Sequence, residues 1–222
     1  MAIPKALEPT GVVLVDKPAG PSSFQIVARV RGRTGAKTGH AGTLDPFATG
    51  LLVLLSGRAT SLQDRFMKLD KRYLTDIDLG GRTTTGDPDG DVLEEHDPPS
   101  LDELEPALGA LRGEVELPIP AASAVKIGGE RAYRLHRRGV VVEMPTRVMR
   151  IHDVGLVAYE DGIVTLDLLV GSGTYVRSIA DALGGHCSTL RRTEIGPFHV
   201  DEADEERVVP LEDALPRLAA TT

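Results

Sequence analysis

Tryptophan is absent from this sequence, and cysteine occurs once, at Cys187. A single thiol excludes an intramolecular disulfide and leaves no thiolate set for zinc; it fits a reducing compartment. Aromatic residues make up only 4% of the chain, so the core has to be built from Leu, Val, Ile and Ala. The longest apolar run, Leu51 to Leu55, falls far short of the roughly 20 residues that cross a bilayer. The opening residues MAIPKALEPTG lack the apolar stretch of a secretory signal. A cytoplasmic protein without membrane contact is the expectation. What is present, 222 residues with 41% hydrophobic and 26% charged, suits one globular domain with a substantial core.

The net charge of -8 argues against a nucleic-acid partner until its distribution is examined. Residues 87–116 carry eleven acids and one base, Arg112, and residues 201–213 carry seven acids and one base. Between Asp16 and Asp45 lie five bases (Lys17, Arg29, Arg31, Arg33, Lys37) and no acid. Residues 126–150 hold seven bases and two acids. Two basic segments in an acidic chain have the form of a localised RNA footprint, although solvated helix faces would look the same.

The pattern of residues predicts interspersed strands and helices without a βαβ rhythm, hence an α+β fold with a mixed sheet. Gly11 to Val15 reads as a strand and Leu51 to Leu55 as a buried one. Ser22 or Ser23 caps a helix from about Phe24 to Arg31, with Phe24, Val27 and Val30 on one face and Gly32 as its stop. Between them, GRTGAKTGHAGTLDPFATG is too rich in glycine for a regular element and reads as a long loop. Leu62, Phe66 and Leu69 have helical spacing. Tyr73, Thr75, Ile77 and Leu79 alternate as one face of a strand. Leu101 to Leu111 is a predicted helix, Ile163 to Val170 a strand, and GSGTY leads into a helix over about Val176 to Leu183. A helical turn is expected around Ala132 to Arg138, and from Arg191 onward a short strand with a polar tail.

Asp45 sits in the stretch His40-Ala41-Gly42-Thr43-Leu44-Asp45-Pro46. Pro46 pushes it out of helical geometry, and the glycines around it allow close approach to a ligand. Taken alone, this is equally the sequence of an Asx turn. Asp87-Pro88-Asp89-Gly90-Asp91 has the look of a calcium loop, but Val92 and Pro98 stand where an EF-hand needs Gly and Glu. GSGTY lacks the P-loop spacing. The six histidines show no close metal-type pairing.

The ordered blocks DKPAGPSSFQIVARV, GHAGTLDPFATGLLVL, DKRYLTDIDLGGRTTTGDPDG, GSGTYVRSIADAL and TLRRTEIGPF resemble the tRNA pseudouridine synthase B family over about residues 11 to 200. The resemblance implies the pseudouridine synthase fold, an α+β arrangement whose mixed, largely antiparallel central sheet is flanked by helices. It implies an isomerase that converts one uridine of the tRNA T-arm loop to pseudouridine, with no cofactor and no metal. Asp45 matches the nucleophile, which either adds to C6 of the uracil or attacks the ribose carbon. Arg177, from GTYxR, matches the cation that keeps that carboxylate ionised. Tyr73 matches the residue stacked on the target base, Tyr175 and Leu190 the lining of the uridine pocket, and His40 the residue that helps the nucleotide leave the stack. The segment 126–150 aligns with an RNA-gripping insertion. Lys17, Lys126, Arg131, Arg137 and Arg138 are the cations expected at RNA phosphates. SIADALGGHCST, before Leu190, is shorter than the family pattern. A PUA-type C-terminal domain, carried by many bacterial members, is not expected in a chain ending at Thr222. Stand-alone action on tRNA without a guide RNA, as a monomer, is expected. A binding-only RNA chaperone would have no need of Asp45, Tyr73 and Arg177 together, and an unrelated hydrolase using Asp45 would need a partner base or metal site that the sequence does not place near it.

Overall fold

The apolar run at the start folds as strand β1 (Gly11–Lys17), buried at every position except Asp16. Helix α1 (Ser23–Thr34) follows. Ser22 caps it in a reciprocal capping box with Gln25. It runs through Gly32 and stops at Gly35, whose φ of 67° makes it the left-handed C-cap. Gly32 is therefore interior, and the stop lies three residues later than its position suggested. The buried stripe is Ser23, Ile26, Val27 and Val30, whereas Phe24 is 74% exposed. The helix has turned Phe24 away because Ile26 completes the inward face.

The glycine-rich stretch contains a short strand, β2 (Thr38–His40), and leads into β3 (Thr49–Ser56). A 3-10 turn and helix α2 (Gln63–Met67) bury Phe66, as the helical spacing predicts. Strand β4 (Lys71–Asp78) buries Lys71, Tyr73, Thr75 and Ile77 on its expected face. Then come β5 (Gly81–Thr83), β6 (Val92–Glu95), α3 (Leu101–Ala110) and β7 (Gly113–Pro118). The basic segment forms a hairpin of β8 (Lys126–Ile127) and β9 (Glu130–Arg131) followed by α4 (Ala132–Arg137). Gly128 and Gly129, both at positive φ, make its two-residue turn. The chain continues through β10 (Thr146–Glu160), β11 (Ile163–Val170), α5 (Val176–Ala182), β12 (His186–Ile195) and β13 (Phe198–His199). It ends in β14 (Asp204–Pro210) and α6 (Leu211–Ala219).

This computed structural model describes residues 10–219. They fall into two compact units, one made of residues up to Tyr73 together with those from Arg191, the other of Leu74–Leu190. In the first unit the strand order is β14–β1–β3–β12, with β2 beside β3 and β13 beside β12. β12 runs parallel to β3; the β1 pairings with β3 and β14 are antiparallel. Its core gathers Val12, Leu14, Leu51, Val53, Leu55, Phe66, Ile195 and Phe198 with Ala214 and Leu218 of α6. The expected polar tail is thus a sheet strand plus an amphipathic helix: Glu212 and Asp213 of the helix are exposed while Ala214 and Leu218 enter the core. In the second unit the order is β4–β11–β10–β7, with β10 antiparallel to both its neighbours. Buried positions alternate along β11, at Val164, Leu166, Leu168 and Val170. The class is α+β, with a mixed and largely antiparallel sheet flanked by helices.

Candidate active site

In the first unit, strand register sets the geometry. Gly50 of β3 lies opposite Lys17 of β1 on one side and Arg192 of β12 on the other. Side chains alternate across a strand. The preceding residues, Asp16 and Arg191, therefore turn to solvent, where Arg191 donates two hydrogen bonds to the Asp16 carboxylate at 3.0 and 2.8 Å. Lys17 and Arg192 turn inward and are 0% and 1% exposed.

Buried cations need partners, and here the loop around Asp45 supplies them. The Lys17 ammonium donates to the carbonyls of Pro18 (2.8 Å), Pro46 (3.0 Å) and Ala48 (2.6 Å). Arg192 donates from Nε to Leu51 O at 2.8 Å and from Nη2 to Gly42 O at 3.1 Å. Its Nη1 lies 3.5 Å from both Thr43 O and the Tyr73 hydroxyl. Ser23 Oγ donates to Leu44 O and accepts from Leu44 N, each at 2.8 Å. Gly20 N donates to Pro46 O at 2.8 Å and Ala41 N to Val53 O at 2.9 Å. The main chain is thus tied down immediately before and after the half-buried Asp45.

These positions correct one expectation. Lys17 does not face an RNA phosphate: it is enclosed, and its donors are spent on loop carbonyls. Burial draws its pKa down to about 8, Asp45 pulls against that shift, and Arg192 adds to it. Lys71 is similarly enclosed, donating to Met67 O at 2.6 Å and to Leu69 O. Burial and then Arg192 draw it to about 8, against Asp70. His40 is half-buried, and burial followed by the Arg192 charge lowers its pKa, which keeps the ring neutral near pH 7. The Tyr73 ring is buried on β4, with the Arg192 guanidinium carbon 6.0 Å from its centroid. The first unit therefore brings Lys17, the Asp45 loop and Tyr73 around a residue the sequence did not single out, Arg192. The only sequence signal for Arg192 was its place in the TLRRTEIGPF block.

In the second unit Arg177 is 3% exposed rather than a surface arginine. It donates to Thr85 O at 2.7 Å and Ala122 O at 3.0 Å, and lies 3.4 Å from the Asp87 carboxylate. The acidic stretch that resembled a calcium loop thus wraps Arg177. Asp87 accepts from Thr85 Oγ1 and from Asp89 N at 3.2 Å, and its own carbonyl accepts from Thr83 Oγ1 at 2.8 Å. Tyr175 is the half-buried N-cap of α5, with the Arg147 guanidinium carbon 5.9 Å from its ring centroid. Leu190 is buried on β12. Among the described residues, no group of three or more His, Cys, Asp or Glu side chains is gathered to hold a metal ion, and no helix is long and apolar enough to cross a membrane.

Folding also redistributes the basic segments. Arg29 pairs with Glu205 and Arg33 with Glu206 at 2.7 Å, so the acidic tail neutralises much of α1. In the 126–150 segment, Arg138 makes two hydrogen bonds to Glu130, at 2.7 and 2.9 Å. Arg131 is tied to Ala124 O. Arg134 and Arg137 lie 5.9 and 5.7 Å from the Tyr133 ring centroid. Lys126 and Arg137 are exposed.

Residues 30–176 match the family described as TruB family pseudouridylate synthase (N terminal domain). The chain is 45% identical over 206 residues to tRNA pseudouridine synthase B of Mycobacterium sp. (strain KMS), covering 87% of this chain and 69% of that protein. The chain belongs to the TruB family of pseudouridylate synthases. It is 42% identical over 229 residues to tRNA pseudouridine synthase B of Thermobifida fusca (strain YX), covering 92% and 78% of the two chains. Among solved structures it resembles a chain of a Cbf5-Nop10-Gar1 complex, with a TM-score of 0.65 and 27% identity, covering 94% of this chain and 54% of that one. Against that structure, this TruB-family chain spans about half the length of its relative. Membership places it among isomerases and accords with the α+β fold.

Proposed function

We propose that this chain isomerises one uridine in the T-arm loop of tRNA to pseudouridine, with Asp45 as the nucleophile on a flipped-out nucleotide. The observation that carries this reading is the fixation of the Asp45 loop. The Asp45 carboxylate is offered from a main chain held on both sides, with the Lys17 ammonium close enough to feel its charge. Burial alone would protonate a carboxylate, and a nearby cation opposes that. Two relatives carrying the name tRNA pseudouridine synthase B support the substrate class.

In this reading Asp45 forms a bond to C6 of the uracil or to the ribose carbon, and the glycosidic bond to N1 breaks. The base turns, C5 bonds to the ribose, the bond to Asp45 breaks, the C5 proton leaves and N1 takes up a proton. Tyr73 offers an aromatic face to the base and a phenol for that proton transfer. A neutral His40 fills the gap left in the stack, offsetting part of the few kcal/mol that flipping costs. Arg177, Tyr175 and Leu190 keep the roles that the resemblance gives them. Lys126, Arg131 and Arg137, with Arg138 once freed from Glu130, grip the phosphates and make binding salt-dependent. The reaction is a redox-neutral rearrangement that needs no cofactor. We place it in a single catalytic domain, acting in the cytoplasm as a monomer without a guide RNA.

The test is tritium release from a tRNA transcript carrying 5-tritiated uridine, with chelator present, for wild type and Asp45→Asn. Release of about one equivalent per tRNA by wild type alone, with tRNA binding kept by the variant, is the expected result. Release by Asp45→Asn at the wild-type rate would refute the assignment.

A further inference from the structure

The family resemblance gives Arg192 no role, yet it is among the largest fully buried side chains of the protein. Packing alone does not call for it. A buried arginine carries a desolvation penalty, and hydrophobic residues of similar volume often do as well or better. What the guanidinium does instead is bridge. It reaches carbonyls on both flanks of one loop, Gly42 and Thr43 before Asp45 and Leu51 after it, and lies beside the Tyr73 hydroxyl. Gly42 adopts φ 113°, a backbone conformation that favours glycine and sets the carbonyl that Arg192 meets. Lys17 performs the complementary task from the far side of Gly50, through Pro46 and Ala48. A planar fork with five donors suits three carbonyls at once, and a lysine cannot copy it.

We propose that Arg192 is a positioning residue for the reaction at Asp45: it closes the Gly42–Leu51 loop from within and fixes Tyr73 relative to it. In this role it acts through the loop carbonyls and the Tyr73 hydroxyl, not on the uridine itself. The proposal rests on the reading of Asp45 as the nucleophile. A displacement of about 1 Å at the reacting group costs on the order of a hundredfold in rate, so the effect belongs in the chemical step rather than in RNA affinity.

The experiment compares wild type, Arg192→Lys and Arg192→Met in single-turnover tritium release on tRNA transcript. Filter binding and thermal denaturation are measured in parallel. Arg192→Met is expected to lose roughly a hundredfold in single-turnover rate, and Arg192→Lys, which keeps the charge but not the fork, roughly tenfold. Affinity for tRNA should stay within about threefold of wild type for both variants. Wild-type rates in both folded variants would overturn the positioning role, as would equal losses in rate and binding. Failure of both to fold would overturn it too, making Arg192 a structural keystone of the first unit. A wild-type protein that releases no tritium would overturn the functional reading itself and the positioning role with it, which separates the two failures.

Discussion

Replacing Gly50 with alanine tests whether the register at the base of the Asp45 loop is as tight as the structure requires. Gly50 adopts φ 98°, a conformation that side chains with a Cβ rarely take. Holding a non-glycine residue there costs about 2 kcal/mol. A Cβ would sit 2.8 Å from Arg192 N and 2.9 Å from Arg192 C, and closer still to the Arg192 carbonyl oxygen. These are main-chain atoms of the parallel neighbour strand and cannot rotate away, so the overlap adds about 2 kcal/mol. The sum, about 4 kcal/mol, is a large share of the 5–15 kcal/mol that typically holds a protein folded. The matched control is Gly32→Ala in α1, where a Cβ meets nothing within 4 Å. That change should stabilise by about 0.5–1 kcal/mol, since alanine is the better helix former. Urea denaturation followed by far-UV circular dichroism, which needs no tryptophan, gives both values. A Gly50→Ala midpoint within error of wild type would refute the register argument; a destabilised Gly32→Ala would refute the placement of that glycine inside α1.

Three other outcomes follow from the same geometry. Glu130→Gln removes the acid paired with Arg138 and should steepen the salt dependence of tRNA binding by up to about 0.7–0.9 in the log–log slope, one phosphate contact; an unchanged slope would remove Arg138 from the footprint. Asp87→Ala leaves the buried Arg177 without its carboxylate neighbour at 3.4 Å and should destabilise the protein by about 3 kcal/mol, read by the urea midpoint; a loss under about 1 kcal/mol would show the pair to be dispensable. The pH dependence follows from Lys17 and Lys71, each drawn by burial from 10.5 to about 8. Between about 8 and 10.5 the unfolded chain holds more protons at these lysines than the native one, so their contribution to unfolding free energy rises with pH. The charge beside Asp45 is lost over that same rise, so single-turnover rate should fall as pH climbs through about 8 without loss of fold. A flat rate from pH 7 to about 9.5 would refute a role for the Lys17 charge.

Sequence alone determined the features that depend on neighbours in the chain. The serine N-cap of α1, the inward alternation of Tyr73, Thr75 and Ile77, the buried run of β3 and the strand Ile163–Val170 are local patterns, and each is where the residues put it. His40 and Asp45 share one contiguous block, so that block could be recognised whole. Tertiary structure decided what depends on partners far away in the chain. Composition rules place lysine and arginine on the surface, and only the pairing of β3 with β1 on one side and with β12 on the other, which sets both Lys17 and Arg192 opposite Gly50, turns the two inward together. The acids after Asp201 read as a solvated tail because their counter-charges, Arg29 and Arg33, lie on α1 at the other end of the chain. A residue's type and its neighbours fix its local conformation; whether its charge meets water, a carbonyl or an opposite charge is set by strand register.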